Sequence, residues 1–253
     1  MILTGNSIRA WSNSFPGYGA DMDEQTVRTL VEGIVRNVVR EAGSTVPCAV
    51  DRSGSGEAIP VEISARHVHL SEGDALALFG GPLTPARELS QPGQFLCKER
   101  VRLIGPKAVM DNVAVLGPAR GQSQVEISAT DARILGVAPP VRQSGDAAGT
   151  PGIILASQTG IVGLEQGLIV AMRHIHMTPE DARRFGVADK ELVGVRIEGE
   201  RPVILEDVLV RVHESFRLVL HIDADEGNGS GWTSGAAGRI VARNGRSGTC
   251  ISA

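Results

Sequence analysis

Two short stretches place paired histidines at a spacing that suits metal chemistry: RHVHLS at 66–71 and RHIHMT at 173–178. The chain has six histidines, and four of them, His67, His69, His174 and His176, lie in these hexads. Side chains alternate faces along a strand, so both imidazoles of each His-x-His project from one side and can share a cation. On a helix the same spacing would turn them apart. A His pair joined by a later carboxylate or a third imidazole is the usual ligand set of catalytic zinc, with one position left open for substrate. Glu126 in QVEIS and His221 in LVLHID are strand-borne candidates, each about 45 to 60 residues beyond a hexad. The spacing favours zinc only slightly over copper or iron. Alone, Glu126 reads as a solvated strand carboxylate. The duplicated hexad, led each time by an Arg, is what argues against coincidence.

A further cation stands in GPAR at 117–120, where Arg120 leaves a tight turn. A guanidinium grips phosphate or carboxylate through two parallel hydrogen bonds, although an isolated Arg after a turn reads as a surface residue. Glycines nearby lack Walker or Rossmann spacing, so nucleotide hydrolysis is not indicated. Cys97 in FLCKE reads as a buried strand residue, with a thiol-ligand role left open, and His213 reads as surface.

The elements that must carry these residues are short and mostly extended. Segments rich in β-branched residues run over 61–70, 95–105, 112–117 and 122–128, then over 167–177, 192–199, 201–212 and 215–225. Gly and Pro pairs punctuate them. Short helices are expected at 71–79, 128–135 and 178–186. Repetition extends past the hexads. Asp74 and Asp181 each follow the second His by five residues, Phe79-Gly80 and Phe185-Gly186 end the helices, and VEIS occurs at 61–64 and 125–128. The reading is mainly β: two related β-barrel domains with short capping α-helices, at 60–150 and 151–253. Closure would remove exposed sheet edges. Before them, residues 21–43 form an amphipathic helix with an apolar stripe of Val27, Leu30, Val31, Ile34, Val35 and Val38. Residues 44–59 are a Gly/Ser-rich flexible linker, and 1–20 are an unassigned N-terminal extension.

Composition bounds the function. With 253 residues the chain can bury a sizeable core, and 42% hydrophobic and 21% charged residues are ordinary for a globular protein. Only eight residues are aromatic, so the core must be built from Val, Ile, Leu and Ala. A net charge of −4 gives no basic footprint for nucleic acid. Three scattered cysteines, Cys48, Cys97 and Cys250, make no disulfide framework, and no apolar run suits a bilayer. A cytoplasmic protein is expected.

At VEISARHVHLS, GQFLCKERVRLIGPK, VLGPARGQSQVEIS, TDARILG, PPVRQSGD, GTPGI, RHIHMTPEDARRFGV and LHIDADEGN the chain resembles the phosphate propanoyltransferase family, the phosphotransacylases of bacterial microcompartments. The likeness runs in order from about residue 60 to 228. It implies two β-barrels and a reversible reaction in which acyl-CoA (propionyl-CoA or acetyl-CoA) plus phosphate gives acyl phosphate plus CoA. It further implies two zinc ions per chain, one held by His67, His69 and Glu126, the other by His174, His176 and His221, with Arg120 as the phosphate-site arginine. CoA sulfur is expected at the first zinc. The second triad lacks a carboxylate and is therefore expected to be more positive and to favour oxyanions. The helix at 21–43 resembles the family's encapsulation peptides, which implies a place in a microcompartment lumen, shell or core partners, and a homo-oligomer. Two other readings fit less well. A zinc hydrolase of HxHxDH pattern is disfavoured because Ser71 follows Leu70, and a cupin-like binding protein would need a Glu one or two residues later than Glu72.

Overall fold

The computed structural model describes residues 57–241 and, in the N-terminal segment, Gln25, which is helical and exposed. The extension at 1–20, the rest of the helix at 21–43 and the linker up to residue 56 lie outside the described residues.

Strands dominate. In chain order they are β1 (Ile59–Ile63), β2 (His67–Ser71), β3 (Pro85–Glu88), β4 (Phe95–Ile104), β5 (Val109–Arg120), β6 (Gln124–Ile127), β7 (Val141–Arg142) and β8 (Ile153–Ala156). There follow β9 (Ile161–Leu164), β10 (Leu168–Ala171), β11 (His174–Met177), β12 (Leu192–Ile197), β13 (Val203–Val212), β14 (Val219–Ile222) and β15 (Ala237–Val241). Four short helices intervene: α1 (Glu72–Phe79), α2 (Ala129–Leu135), α3 (Pro179–Phe185) and α4 (Ala224–Ser230).

Six strands close into a barrel in the order β1-β14-β11-β13-β12-β15. The other nine form a sheet in the order β7-β10-β6-β2-β5-β4-β8-β9, with β3 on β4. This sheet curves as a half-barrel, so of the two related units one closes completely. Each has its own core of mostly aliphatic residues. Val68, Leu70, Val115 and Leu155 belong to the half-barrel's core, and Ile175, Met177, Val195 and Leu220 to the barrel's. Scarce aromatics leave the packing to β-branched and leucine side chains, as the composition requires.

Strand pairing does not follow the division expected at 150/151. The segment 61–70 is not one strand: after β1 the chain crosses at Ser64–Arg66 from the barrel to the half-barrel, where β2 begins. The segment 167–177 splits in the same way, with β10 in the half-barrel and β11 in the barrel. Each unit thus lends the strand before its histidine pair to the other unit. A local periodicity cannot register such a crossing, because both strands are extended and half-apolar on either side of it. The linker also ends sooner than residue 59, since Ile59 opens β1 and is fully buried.

Cap chemistry explains why helices follow the histidine strands directly. Ser71 and Thr178, the last residues of the hexads, are N-caps whose hydroxyls accept from the Asp74 and Asp181 backbone N–H at 3.1 Å. Gly80 and Gly186 then stop α1 and α3 in the left-handed region, at φ 72° and 66°, which a side chain would disfavour. Helix α4 begins the same way at Asp223, in a capping box with Glu226.

Candidate active site

His67 and His69 stand on β2 and His174 and His176 on β11, and all four are buried. The antiparallel neighbour of β2 is β6, where Glu126 lies opposite His67. The antiparallel neighbour of β11 is β14, where His221 lies opposite His174. The duplication noticed in the hexads therefore extends to the third member of each cluster. In each triad the candidate donor atoms, one from each residue, all lie within 4.8 Å of one another. Glu126 Oε2 is 3.5 Å from His67 Nε2, and Oε1 is 3.8 Å from His69 Nε2. In the second triad the ring centroids of His174, His176 and His221 are 4.7–5.3 Å apart.

The rings are prepared as electron-pair donors. His67 Nδ1 lies 2.8 Å from the Ala65 carbonyl and His174 Nδ1 the same distance from the Met172 carbonyl. A carbonyl only accepts, so Nδ1 carries a proton in both rings and Nε2 is the atom turned toward the other members of the triad. Burial, followed by the charges of neighbouring groups, pushes His69 and His176 down to about 2 and His174 down to about 4. These three imidazoles are neutral near pH 7. Neither His69 nor His176 satisfies its Nδ1 with a well-formed hydrogen bond; the Leu116 backbone gives His69 only slight support. Burial would raise the Glu126 carboxyl, but His67, His69 and Ser144 outweigh it and hold the group at about 2, ionised. Neutral nitrogens and one carboxylate at this spacing fit a borderline divalent cation such as zinc.

A polar network orients Glu126. Ser144 Oγ and Gln124 Nε2 each donate to its Oε1 at 2.6 Å, leaving Oε2 uncommitted. Arg120 Nη1 donates to Ser144 Oγ at 3.1 Å, so this arginine belongs to the site rather than to the open surface. Arg120 is not ion-paired with any Asp or Glu among the described residues. Burial lowers its pKa, Glu126 opposes that, and Arg211 adds to it.

Both triads, Arg120 and Ser144 line one cavity of about 340 Å³. Its wall also contains Leu89, Leu96, Leu116 and Phe216. The leading arginines of the hexads hold the crossings, and Arg66 also lines the cavity. Arg66 pairs with Asp131 at 2.8 Å and Arg173 with Glu226 at 2.6 Å, and each acid sits in the capping box of the helix after the third ligand's strand. Cys97 is fully buried in the half-barrel core, its thiol raised to about 11 by burial, and belongs to neither triad. His213 is exposed.

Sequence reasoning passed over several cavity residues, among them Arg211, Ser144 and Glu62. Arg211 lies beside His176 on β13, the parallel neighbour of β11, just as Arg120 lies on the parallel neighbour of β2. Aligning the two halves strand by strand would have raised it. Ser144 lies in PPVRQSGD at 139–146, a stretch that shares the family resemblance but carries no assigned role. Glu62 belongs to the first VEIS copy, which was seen as a repeat but given no role.

A family model described as phosphate propanoyltransferase matches residues 60–233. The chain is 49% identical over 222 residues to a phosphate propanoyltransferase of Alkaliphilus metalliredigens, spanning 87% of this chain and 100% of that protein. It is 47% identical to that of Listeria monocytogenes, over 87% of this chain and 97% of the relative. With that of Leptotrichia buccalis it shares 57% identity over 182 residues, 71% of this chain and 86% of the relative. A match of this length, covering both triads and Arg120, places the chain in the phosphate propanoyltransferase family.

Proposed function

We propose that this protein is a zinc-dependent phosphotransacylase that interconverts acyl-CoA plus phosphate with acyl phosphate plus CoA. The observation that carries the reading is the convergence of two donor triads and the Arg120 guanidinium on one cavity. His67, His69 and Glu126 would hold one zinc ion and His174, His176 and His221 another. Zinc bound there supplies Lewis acidity, favouring the thiolate form of CoA and polarising an oxygen of phosphate or of the acyl carbonyl.

The chain's own residues do the rest. Arg120 offers parallel N–H donors to phosphate and offsets charge as its oxygen attacks the thioester carbonyl. A C–O bond forms, the C–S bond breaks, and the sulfur leaves as thiolate. Ser144 ties that guanidinium to Glu126, so phosphate position and metal-ligand position are set together. Leu89, Leu96 and Leu116 give the cavity an apolar wall that suits an acyl chain and limits water near the acyl phosphate. Propionyl and acetyl groups both fit this chemistry.

The N-terminal segment, by its resemblance to encapsulation peptides, would direct the enzyme to a microcompartment lumen through shell or core partners, and a homo-oligomer is part of the same proposal. Among the described residues no helix is long and apolar enough to cross a membrane.

The test is thiol release from propionyl-CoA with and without phosphate. Phosphate-dependent release with stoichiometric acyl phosphate supports the reading. Release at the same rate in phosphate-free buffer, with free propionate as product, would make the protein a hydrolase instead.

A further inference from the structure

The two triads differ in one respect. The first contains a carboxylate, Glu126, and the second contains three imidazoles. The barrel nevertheless brings a carboxylate to the second triad from another strand. β1 pairs in parallel with β14, with Glu62 in register with His221. In the half-barrel the equivalent place is taken by β10, where Ile169 is in register with Glu126. The exchange of strands between the units thus puts an acid beside His221 and an apolar residue beside Glu126.

Glu62 Oε2 stands 3.4 Å from His221 Nε2. The corresponding approach in the first triad, Glu126 Oε2 to His67 Nε2, is 3.5 Å. Both exceed the roughly 2.7–2.9 Å of a charge-assisted N–H···O bond. Both match the spacing of two donors on a tetrahedral zinc: bonds of about 2.0–2.1 Å at the tetrahedral angle separate the donor atoms by about 3.4 Å. Ser90 Oγ donates to the same Glu62 oxygen at 2.7 Å, fixing the carboxylate as Ser144 fixes Glu126. Among the described residues no Lys or Arg comes within ion-pair distance of Glu62 to claim it. Its side chain is 48% exposed and lines the same cavity as both triads.

We propose that Glu62 is a fourth protein ligand of the His174, His176 and His221 site. This rests on the reading that both triads hold a divalent cation, and it revises the expectation that the second site is the more positive one. Each site then has one carboxylate, and the two are matched in charge. They differ in openness: the second is filled by four protein donors, whereas the first keeps a free position facing the cavity. Substrate access is thereby assigned to the first site, and Glu62 must be displaced before an oxyanion can enter the second.

The experiment is a Co²⁺ titration of the metal-free full-length protein against a competing chelator, read by visible absorption. Wild type should take up two ions, one with the strong absorption of a four-coordinate site. Glu62→Gln keeps the shape and the bond to Ser90 but removes the anionic ligand. It should weaken one ion at least tenfold, the scale seen when the support of a metal ligand is removed, and reduce that ion's absorption. Glu126→Gln should weaken the other ion, and the double variant both. Two wild-type affinities and an unchanged spectrum in Glu62→Gln would overturn the assignment. Should that variant lose its fold, Ser90→Ala decides in the same way, by a weakened second ion or by none. If wild type itself binds no cobalt, the reading of the triads as metal sites falls too, an outcome distinct from the failure of Glu62 alone.

Discussion

Arg120→Lys retains the positive charge at 120 and removes the planar fork, which separates charge from geometry. One N–H of Arg120 is committed to Ser144 Oγ at 3.1 Å, so its other donors are available to an anion in the cavity. A lysine ammonium cannot bind Ser144 and present two parallel donors to phosphate at once. Loss of one such preorganised donor costs about 2–4 kcal/mol of transition-state stabilisation. At about 1.4 kcal/mol per factor of ten, kcat/KM for phosphate should drop by about 30- to 1000-fold. The assay is the initial rate of acyl phosphate formation across a phosphate range at saturating propionyl-CoA. Metal content must be measured on the same sample, because Ser144 connects Arg120 to Glu126 and a lost ion would mimic a lost donor. Two ions per chain with a greatly reduced kcat/KM supports the role given to Arg120. Kinetics within threefold of wild type would refute it and leave Arg120 a cavity residue without a part in phosphate binding.

Three further outcomes follow from the same geometry. Arg173→Gln removes the 2.6 Å pair with Glu226 and the bond to the Glu206 carbonyl, and should lower unfolding free energy by about 1.5–3 kcal/mol in urea; a change under about 0.5 kcal/mol would mean that the crossing is held by other contacts. His69, His174 and His176 sit below their ordinary value of 6.5, so the unfolded chain binds protons that the folded chain excludes. The metal-free protein should therefore keep full stability above about pH 6.5 and lose up to about 1.4 kcal/mol per pH unit for each ring as pH falls below it, and urea midpoints equal at pH 8 and pH 5 would contradict this. Deleting residues 1–43 should leave kcat/KM intact while reducing self-association or encapsulation, and loss of the folded barrels on deletion would make that segment structural.

The chemistry of the site was legible wherever it depends on neighbours in sequence. His-x-His on a strand places two rings on one face whatever the tertiary structure, and the hydroxyl that ends each hexad is an N-cap by local geometry alone. Helix α4 escaped because ADEGNGS has no apolar stripe, although the Asp223–Glu226 box that starts it is a local signal. What could not be read was the exchange of strands. Nothing in VEISARHVHL marks Ser64–Arg66 as a passage between two sheets, since the partner of β1 is β14, far along the chain. Glu62 was missed for that reason, whereas Arg211 takes its place from the parallel pairing of β11 with β13 inside the barrel and shows only when the two halves are aligned strand by strand. Arg66 and Arg173, which lead the hexads and suggested chemistry, prove to be anchors of those same passages.

The central claim, that both triads serve one reaction, is tested most directly by metal removal and return. Chelated full-length enzyme is assayed for phosphate-dependent CoA release from propionyl-CoA as zinc is added back in measured equivalents, beside His69→Ala and His176→Ala. Activity should be lost on chelation and be restored fully only near two zinc ions per chain. Each variant should bind one ion fewer and stay inactive at saturating zinc. Full activity in the chelated protein, or in a variant with one triad broken, would contradict the account.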